Sequence, residues 1–237
     1  MAERIRVRML VVEDNSAFRD NLVEGFEIDP NLEEFRISCL RSVPDAESAL
    51  EMFSDWKPDI ALVDNHLPGM TGSELGKKMR ELGINCPIII MSGEMAEERH
   101  VADGLRHGAN EFVLKPFGAT EIRAKLNARL RDYMKSEDVI LRFGEFEFHP
   151  GQGILEHAEN GFEKLTAMES KILKYLFLAR RETVGRHELL AKIWGYNPKV
   201  DTHTLETHVY RLRQKIEPNS RMPRYLQTSN GGYRLVV

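Results

Sequence analysis

The stretch "ALVDNHLPGM", residues 61–70, carries an apolar run into a single aspartate and then into a Pro-Gly turn. Asp64 stands where a buried strand runs out. Taken alone, such a carboxylate caps the helix that follows. What stands at the ends of the other strands decides whether it does more.

Working outward, short apolar runs recur at regular intervals. They are "RMLVV" (8–12), "FRISCL" (35–40), "DIALV" (59–63), "CPIIIM" (86–91) and "EFVL" (111–114). Helical patterns lie between them. Phe18, Leu22, Val23 and Phe26 share one face, and so do Ala46, Ala49, Leu50 and Phe53. Further helices are predicted over "SELGKKMREL" (73–82), "AEERHVADGLRHG" (96–108) and "TEIRAKLNARLRDY" (120–133). Strands alternating with helices predict a doubly wound α/β fold with a five-stranded parallel sheet covered on both faces. In such folds the polar site lies at the carboxyl ends of the strands. At those ends stand Glu13 and Asp14, then Asp64, then Ser92, then Lys115 followed by Pro116. Three carboxylates brought to one rim repel one another, and each is costly to desolvate unpaired. A hard divalent cation relieves that, and oxygen ligands with an open solvent side suit Mg²⁺.

With "VVEDN", "LVDNHLPGM", "IIIMSG" and "EFVLKPF" in order, residues 5–133 resemble the receiver domain of two-component response regulators. The resemblance implies a flavodoxin-like fold with Asp64 as the phosphoacceptor. It implies that Glu13, Asp14, Asp64 and the backbone carbonyl of His66 hold Mg²⁺. It assigns Ser92 and Lys115 to the phosphoryl oxygens and makes Phe112 the aromatic switch residue. A carboxylate nucleophile attacking a phosphohistidine or a small acyl phosphate agrees with these residue types. Haloacid-dehalogenase-type phosphohydrolases also form an aspartyl phosphate, but they carry a second Asp two residues on. Here that position is His66.

A chain of 237 residues with 42 % apolar and 30 % charged residues has an ordinary globular balance. No apolar run approaches the ~20 residues that span a bilayer. The N-terminal apolar run, Met9–Val12, is too short for a signal-peptide core, and acidic residues follow at once. Cys39 and Cys86 lack metal-site spacing and read as reduced, buried thiols. The expected compartment is the cytoplasm. Charge is uneven along the chain. Residues 1–135 hold 18 Lys+Arg against 24 Asp+Glu, a net −6, whereas residues 180–237 hold 11 against 5, a net +6. An acidic front and a basic end suggest two domains, the second a nucleic-acid binder.

The polar stretch 134–140 reads as a linker between a first domain, 1–133, and a second, 141–237. The second begins with alternating segments that predict a small antiparallel sheet. Thr166-x-x-Glu169 then opens a helix as a capping box. "RHELLAKIWGY" is a second helix with Gly195 as its C-cap, and "DTHTLETHVYRLRQKI" is a third. "YLQTSNGGYRLVV" predicts a terminal hairpin about an Asn-Gly-Gly turn. On the third helix, Leu205, Val209, Leu212 and Ile216 form a core stripe. The opposite face carries His203, Thr207, Tyr210, Arg211 and Gln214, which suits the major groove.

"LTAMESKILKYL", "ELLAKIWG", "THVYRLRQKIE" and "GGYRL" resemble the winged-helix output domain of OmpR/PhoB-type regulators. The resemblance makes His203, Thr207, His208, Tyr210, Arg211, Arg213 and Asn230 the candidates for contact with double-stranded promoter DNA, arranged as direct repeats. It implies a sensor histidine kinase or phosphotransfer protein as donor, a homodimer when phosphorylated, and RNA polymerase as a further partner. It assigns Val101, Leu105, Glu111, Glu121 and Lys125 to the dimer face. The chain is not expected to be an enzyme beyond its own phosphoryl transfer and dephosphorylation. The sequence also departs from the family. His203 and Asn230 stand where arginine is frequent, so base preference does not transfer, and the wing is expected to contribute little charge. The function implied is a phosphorylation-switched transcription regulator. The alternative is a DNA-binding regulator whose receiver binds partners without phosphorylation.

Overall fold

The computed structural model describes residues 4–93, 108–157, 161–179, 182–195 and 202–236. The chain divides into two compact units, Arg4–Ser136 and Glu137–Val237.

The first unit is built on one sheet. Its strands are β1 (Ile5–Val12), β2 (Asn31–Leu32), β3 (Phe35–Val43), β4 (Ile60–Asp64), β5 (Ile88–Ser92) and β6 (Glu111–Leu114), in the order β2-β3-β1-β4-β5-β6. Helices α1 (Ser16–Ile28), α2 (Ala46–Met52), α3 (Gly72–Glu81) and α4 (Ala119–Lys135) connect or follow them. The five long strands run parallel. Met9–Val12, Ile60–Val63 and Ile88–Met91 are fully buried, so these strands read as continuous apolar runs rather than alternating ones. The chain steps from β1 outward to β3 and then crosses back to β4. The sheet's topological switch point therefore lies between β1 and β4, where Glu13 and Asp64 emerge.

Five strands are expected from the sequence, and the sheet has six. The sixth, β2, pairs antiparallel with β3 through Asn31↔Arg36 and Leu32↔Phe35. Leu32 is buried there. The Asp29 carboxylate accepts from the Asn31 N–H at 3.2 Å, and Arg123 donates to the carbonyls of Gly25, Asp29 and Asn31 at 2.8–3.0 Å. A two-residue strand is too short to carry a periodic pattern, so it is held by side chains that pattern reading does not see. Of the two thiols, Cys86 is buried, while Cys39 is only half-buried, on β3 beyond the residues that β2 pairs with.

The second unit has two sheets. Strands β7 (Leu141–Phe143), β8 (Phe146–His149), β9 (Ile154–His157) and β10 (Gly161–Lys164) form an antiparallel meander. Helix α5 (Ala167–Leu178) follows, opened by the expected capping box: the Glu169 N–H donates to Thr166 Oγ1, and the Thr166 N–H to Glu169 Oε2. Then come β11 (Val184–Gly185), α6 (Arg186–Trp194), α7 (Thr202–Ile216), β12 (Leu226–Ser229) and β13 (Gly232–Leu235). Gly195 ends α6 with φ +72° and ψ −179°, a backbone that favours glycine. Strand β11 is not expected from the sequence. It pairs with β13 so closely that a side chain at Gly232 would collide with the Val184 carbonyl. Asn230 and Gly231, both at positive φ, form the two-residue loop of the β12–β13 hairpin.

Candidate phosphoacceptor site and nucleic-acid interface

In the first unit, strand ends fix the charges by backbone bonds. The Glu13 N–H donates to the Val43 carbonyl at 3.1 Å, the Asn65 N–H to Met91 at 2.8 Å, and the Lys115 N–H to Ser92 at 2.6 Å. The Ser73 hydroxyl donates to Asn65 Oδ1 at 3.1 Å. A side chain at Gly72 would collide with the Asp64 carbonyl, so glycine lets α3 start directly behind the end of β4.

Lys115 joins the carboxylates. Its Nζ lies 2.7 Å from Glu13 Oε2 and 3.2 Å from Asp64 Oδ2. Glu13 and Asp64 are buried, whereas Asp14 is exposed. Each of the three offers an oxygen within 4.8 Å of the others. Burial raises the Glu13 pKa above its ordinary value. The neighbouring Asp64 charge raises it further, and the Lys115 hydrogen bond and charge only partly reverse this. One ammonium among three carboxylates leaves a net negative rim of oxygen donors that opens at Asp14. That donor set fits Mg²⁺.

Ser92 ends β5 with 1 % exposure, and its Oγ has no hydrogen-bond partner among the described residues. A buried hydroxyl left without a partner is costly. Phe112 is half-buried on β6, opposite Ile90. His66 is exposed, and its backbone bridges to Thr71. Arg19 is a residue that sequence reading missed. It donates to the Glu13 carbonyl at 2.7 Å and holds the loop after β1.

Elsewhere on this unit, Glu111 pairs within the chain with Lys125 at 3.2 Å and Arg129 at 3.8 Å. Glu121 is exposed in the first turn of α4. Val101 and Leu105 lie outside the described residues.

In the second unit, α7 buries Leu205, Val209, Leu212 and Ile216 at 2 % exposure or less. His203, Thr207, Tyr210 and Arg211 are exposed. Two of the expected contact residues are engaged elsewhere. His208 is half-buried, with its ring 5.5 Å from that of Trp194. Arg213 donates to the Leu226 carbonyl and to Thr228 Oγ1, both at 2.9 Å, and so ties α7 to the hairpin. Both sit beside the buried stripe rather than opposite it. At the hairpin tip, Arg186 donates to the Gly231 carbonyl at 2.8 Å and stacks over Tyr233. Sequence reading missed that brace, because Arg186 precedes the tip by some 45 residues.

Known proteins match both units. The response regulator receiver domain model matches residues 9–127, and the model for the C-terminal domain of transcriptional regulatory proteins matches residues 161–235. The chain is a response regulator. Its receiver domain precedes a DNA-binding domain, the arrangement of the OmpR/PhoB type. Among its relatives, the alkaline phosphatase synthesis transcriptional regulatory protein SphR of Synechococcus elongatus is 32 % identical, over 96 % of this chain and 90 % of SphR. The sensory transduction protein RegX3 of Mycolicibacterium smegmatis is 34 % identical, over 96 % of this chain and 98 % of RegX3. A solved structure of DrrB, a Thermotoga maritima OmpR/PhoB homologue, covers 99 % of this regulator and 100 % of its own chain, at TM-score 0.45 and 22 % identity. No described helix of the regulator is long and apolar enough to cross a membrane.

Proposed function

We propose that this regulator is switched by phosphorylation of Asp64 and that α7 reads promoter DNA. The observation that carries the first part is Lys115 bridging Glu13 and Asp64, with the Ser92 hydroxyl, which has no partner among the described residues, at the end of the next strand. An Asp64 carboxylate oxygen attacks the phosphorus of a sensor kinase's phosphohistidine or of a small acyl phosphate. A new P–O bond forms as the donor's P–N or P–O bond breaks, and the donor leaves as imidazole, protonated from solvent, or as a carboxylate. Lys115 pairs with the transferred oxygens, and the Ser92 hydroxyl donates to one of them. Glu13, Asp14, Asp64 and the His66 carbonyl would hold Mg²⁺, which offsets charge on the transferring group. Phe112 then fills the space that Ser92 vacates. The rim and the unpartnered hydroxyl support this reading over a phosphorylation-independent binding module.

Phosphorylated receivers pair through the face that carries Glu111, Glu121 and Lys125, with Val101 and Leu105. Pairing sets two output domains on direct repeats in the cytoplasm, within reach of RNA polymerase. Exposed His203, Thr207, Tyr210 and Arg211 support α7 as the element in the major groove, with Asn230 at the wing tip.

Two measurements test the proposal. Incubation with a small acyl phosphate and Mg²⁺ is expected to add one phosphoryl group by intact mass, and Asp64→Asn is expected to add none. Equal labelling of that variant would defeat the assignment. Arg211→Ala is expected to cost ~1–3 kcal/mol in DNA binding and to relax preference at one base per half-site. A loss equal on specific and scrambled DNA, with a shallower salt dependence, would reassign Arg211 to the phosphates.

A further inference from the structure

Lys115 has a third neighbour besides Glu13 and Asp64. Its Nζ lies 4.5 Å from the ring centroid of Phe18. Phe18 stands in the first turn of α1, and its N–H donates to the capping oxygen Asn15 Oδ1 at 3.0 Å. Phe117, two residues beyond Lys115, meets the Phe18 ring edge-on, with centroids 5.8 Å apart and planes at 77°. The ring is thus held by the helix cap through its backbone and by Phe117 through its edge.

An aromatic face attracts an ammonium without carrying a charge. This separates Phe18 from the other two partners. Glu13 and Asp64 compete with incoming phosphoryl oxygens for the same cation, and the ring does not. The ammonium has to turn from Glu13 toward the new oxygens as the phosphoryl group arrives. A neutral ring face 4.5 Å from the ammonium limits where it can go without drawing it off the oxygens.

We propose that Phe18 is a positioning residue that holds the Lys115 ammonium over the phosphoacceptor. It sets the rate of phosphoryl transfer through Lys115, without touching the phosphoryl group. This rests on the assignment of Asp64 above.

The test uses the full chain, a small acyl phosphate with Mg²⁺, and intact mass against time. Phe18→Leu keeps apolar bulk and removes the ring face, whereas Phe18→Tyr keeps the ring. The leucine variant is expected to label about 3- to 20-fold more slowly, and the tyrosine variant to stay within about twofold of the parent. In a Lys115→Met background, Phe18→Leu is expected to add nothing. A second readout is independent of the reaction: the Lys115 ε-methylene protons carry an upfield ring-current shift by NMR that Phe18→Leu removes. Should Phe18→Leu misfold, Phe117→Leu replaces it, with slowing of about threefold and partial loss of that shift. Unchanged rates overturn the proposal. So do equal slowing in the Lys115→Met background, which marks plain packing, and unshifted ε-methylene protons. If Asp64→Asn labels like the parent, the phosphoacceptor reading fails instead, and the NMR shift still decides the contact.

Discussion

Each domain contains one glutamate at 1 % side-chain exposure that is joined to a lysine. In the receiver, Glu13 meets Lys115 at 2.7 Å. In the output domain, Glu169 meets Lys215 at 2.9 Å, and the two lysines are 21 % and 24 % exposed. Nearly the same pair has opposite electrostatics. The Glu13 pKa is raised, whereas the Glu169 pKa is lowered. Burial pushes both up. Around Glu169, the Thr166 N–H and hydroxyl and the Lys215 ammonium more than reverse that push. Around Glu13, a second carboxylate, Asp64, adds to it. The same two residue types therefore make a staple where donors surround the carboxylate, and a rim of mutually repelling carboxylates where acceptors do.

Glu169→Gln gives the largest expected effect. The Thr166 N–H and Lys215 both donate to Glu169 Oε2, so a glutamine oxygen there keeps both bonds, and Lys215 keeps the Lys164 carbonyl at 2.6 Å, but the ammonium loses its counter-charge. Removing one partner of a fully buried pair costs about 3–5 kcal/mol. Lys215 still reaches water, so a loss of about 2–3 kcal/mol in the output domain is expected. Hydrogen exchange read by domain checks it. The sign with pH follows from the lowered pKa. The Glu169 contribution is fully present above the ordinary value of 4.5 and is lost as pH falls through the folded value. The variant should lack that acid-side slope. A loss below ~0.5 kcal/mol would remove Glu169 from the role of staple.

How much of this contrast the sequence carries differs between the two sites. The receiver rim is legible because a parallel sheet converts position along the chain into position in space: whatever follows each apolar run arrives at one edge. The capping box at Thr166 and the stripe from Leu205 to Ile216 are legible for the same reason, being local periodicities. Contacts that depend on where long side chains travel are not. Lys115 over Phe18 joins residues nearly a hundred positions apart. Lys215 on Glu169 spans 46. Glu217 accepts the N–H groups of Arg224, Tyr225 and Leu226 at 2.6–2.9 Å and so anchors the start of the hairpin, yet nothing in its local pattern marks it. His208 and Arg213 fall at the border of the α7 stripe, where helical phase alone does not choose between groove and core.

Glu13→Gln is the smaller effect and the sharper one, because its expected sign is reversed. The substitution removes a charge that burial and Asp64 both disfavour. It does not strand the lysine, since Lys115 keeps Asp64 at 3.2 Å. Receiver stability at pH 7 is therefore expected to stay level or to rise by as much as ~1 kcal/mol. The gain should shrink in acid, because the raised folded pKa means that the parent recovers its own deficit as Glu13 takes up a proton. The same variant is expected to bind Mg²⁺ more weakly by titration and to label more slowly with an acyl phosphate, since one of the three clustered carboxylates loses its charge. Stability gained with function lost is the mark of a rim whose repulsion is retained for chemistry. Domain-resolved hydrogen exchange on the two variants side by side decides it. A destabilisation by Glu13→Gln equal to that of Glu169→Gln would make both pairs staples, and the contrast between the two domains would collapse.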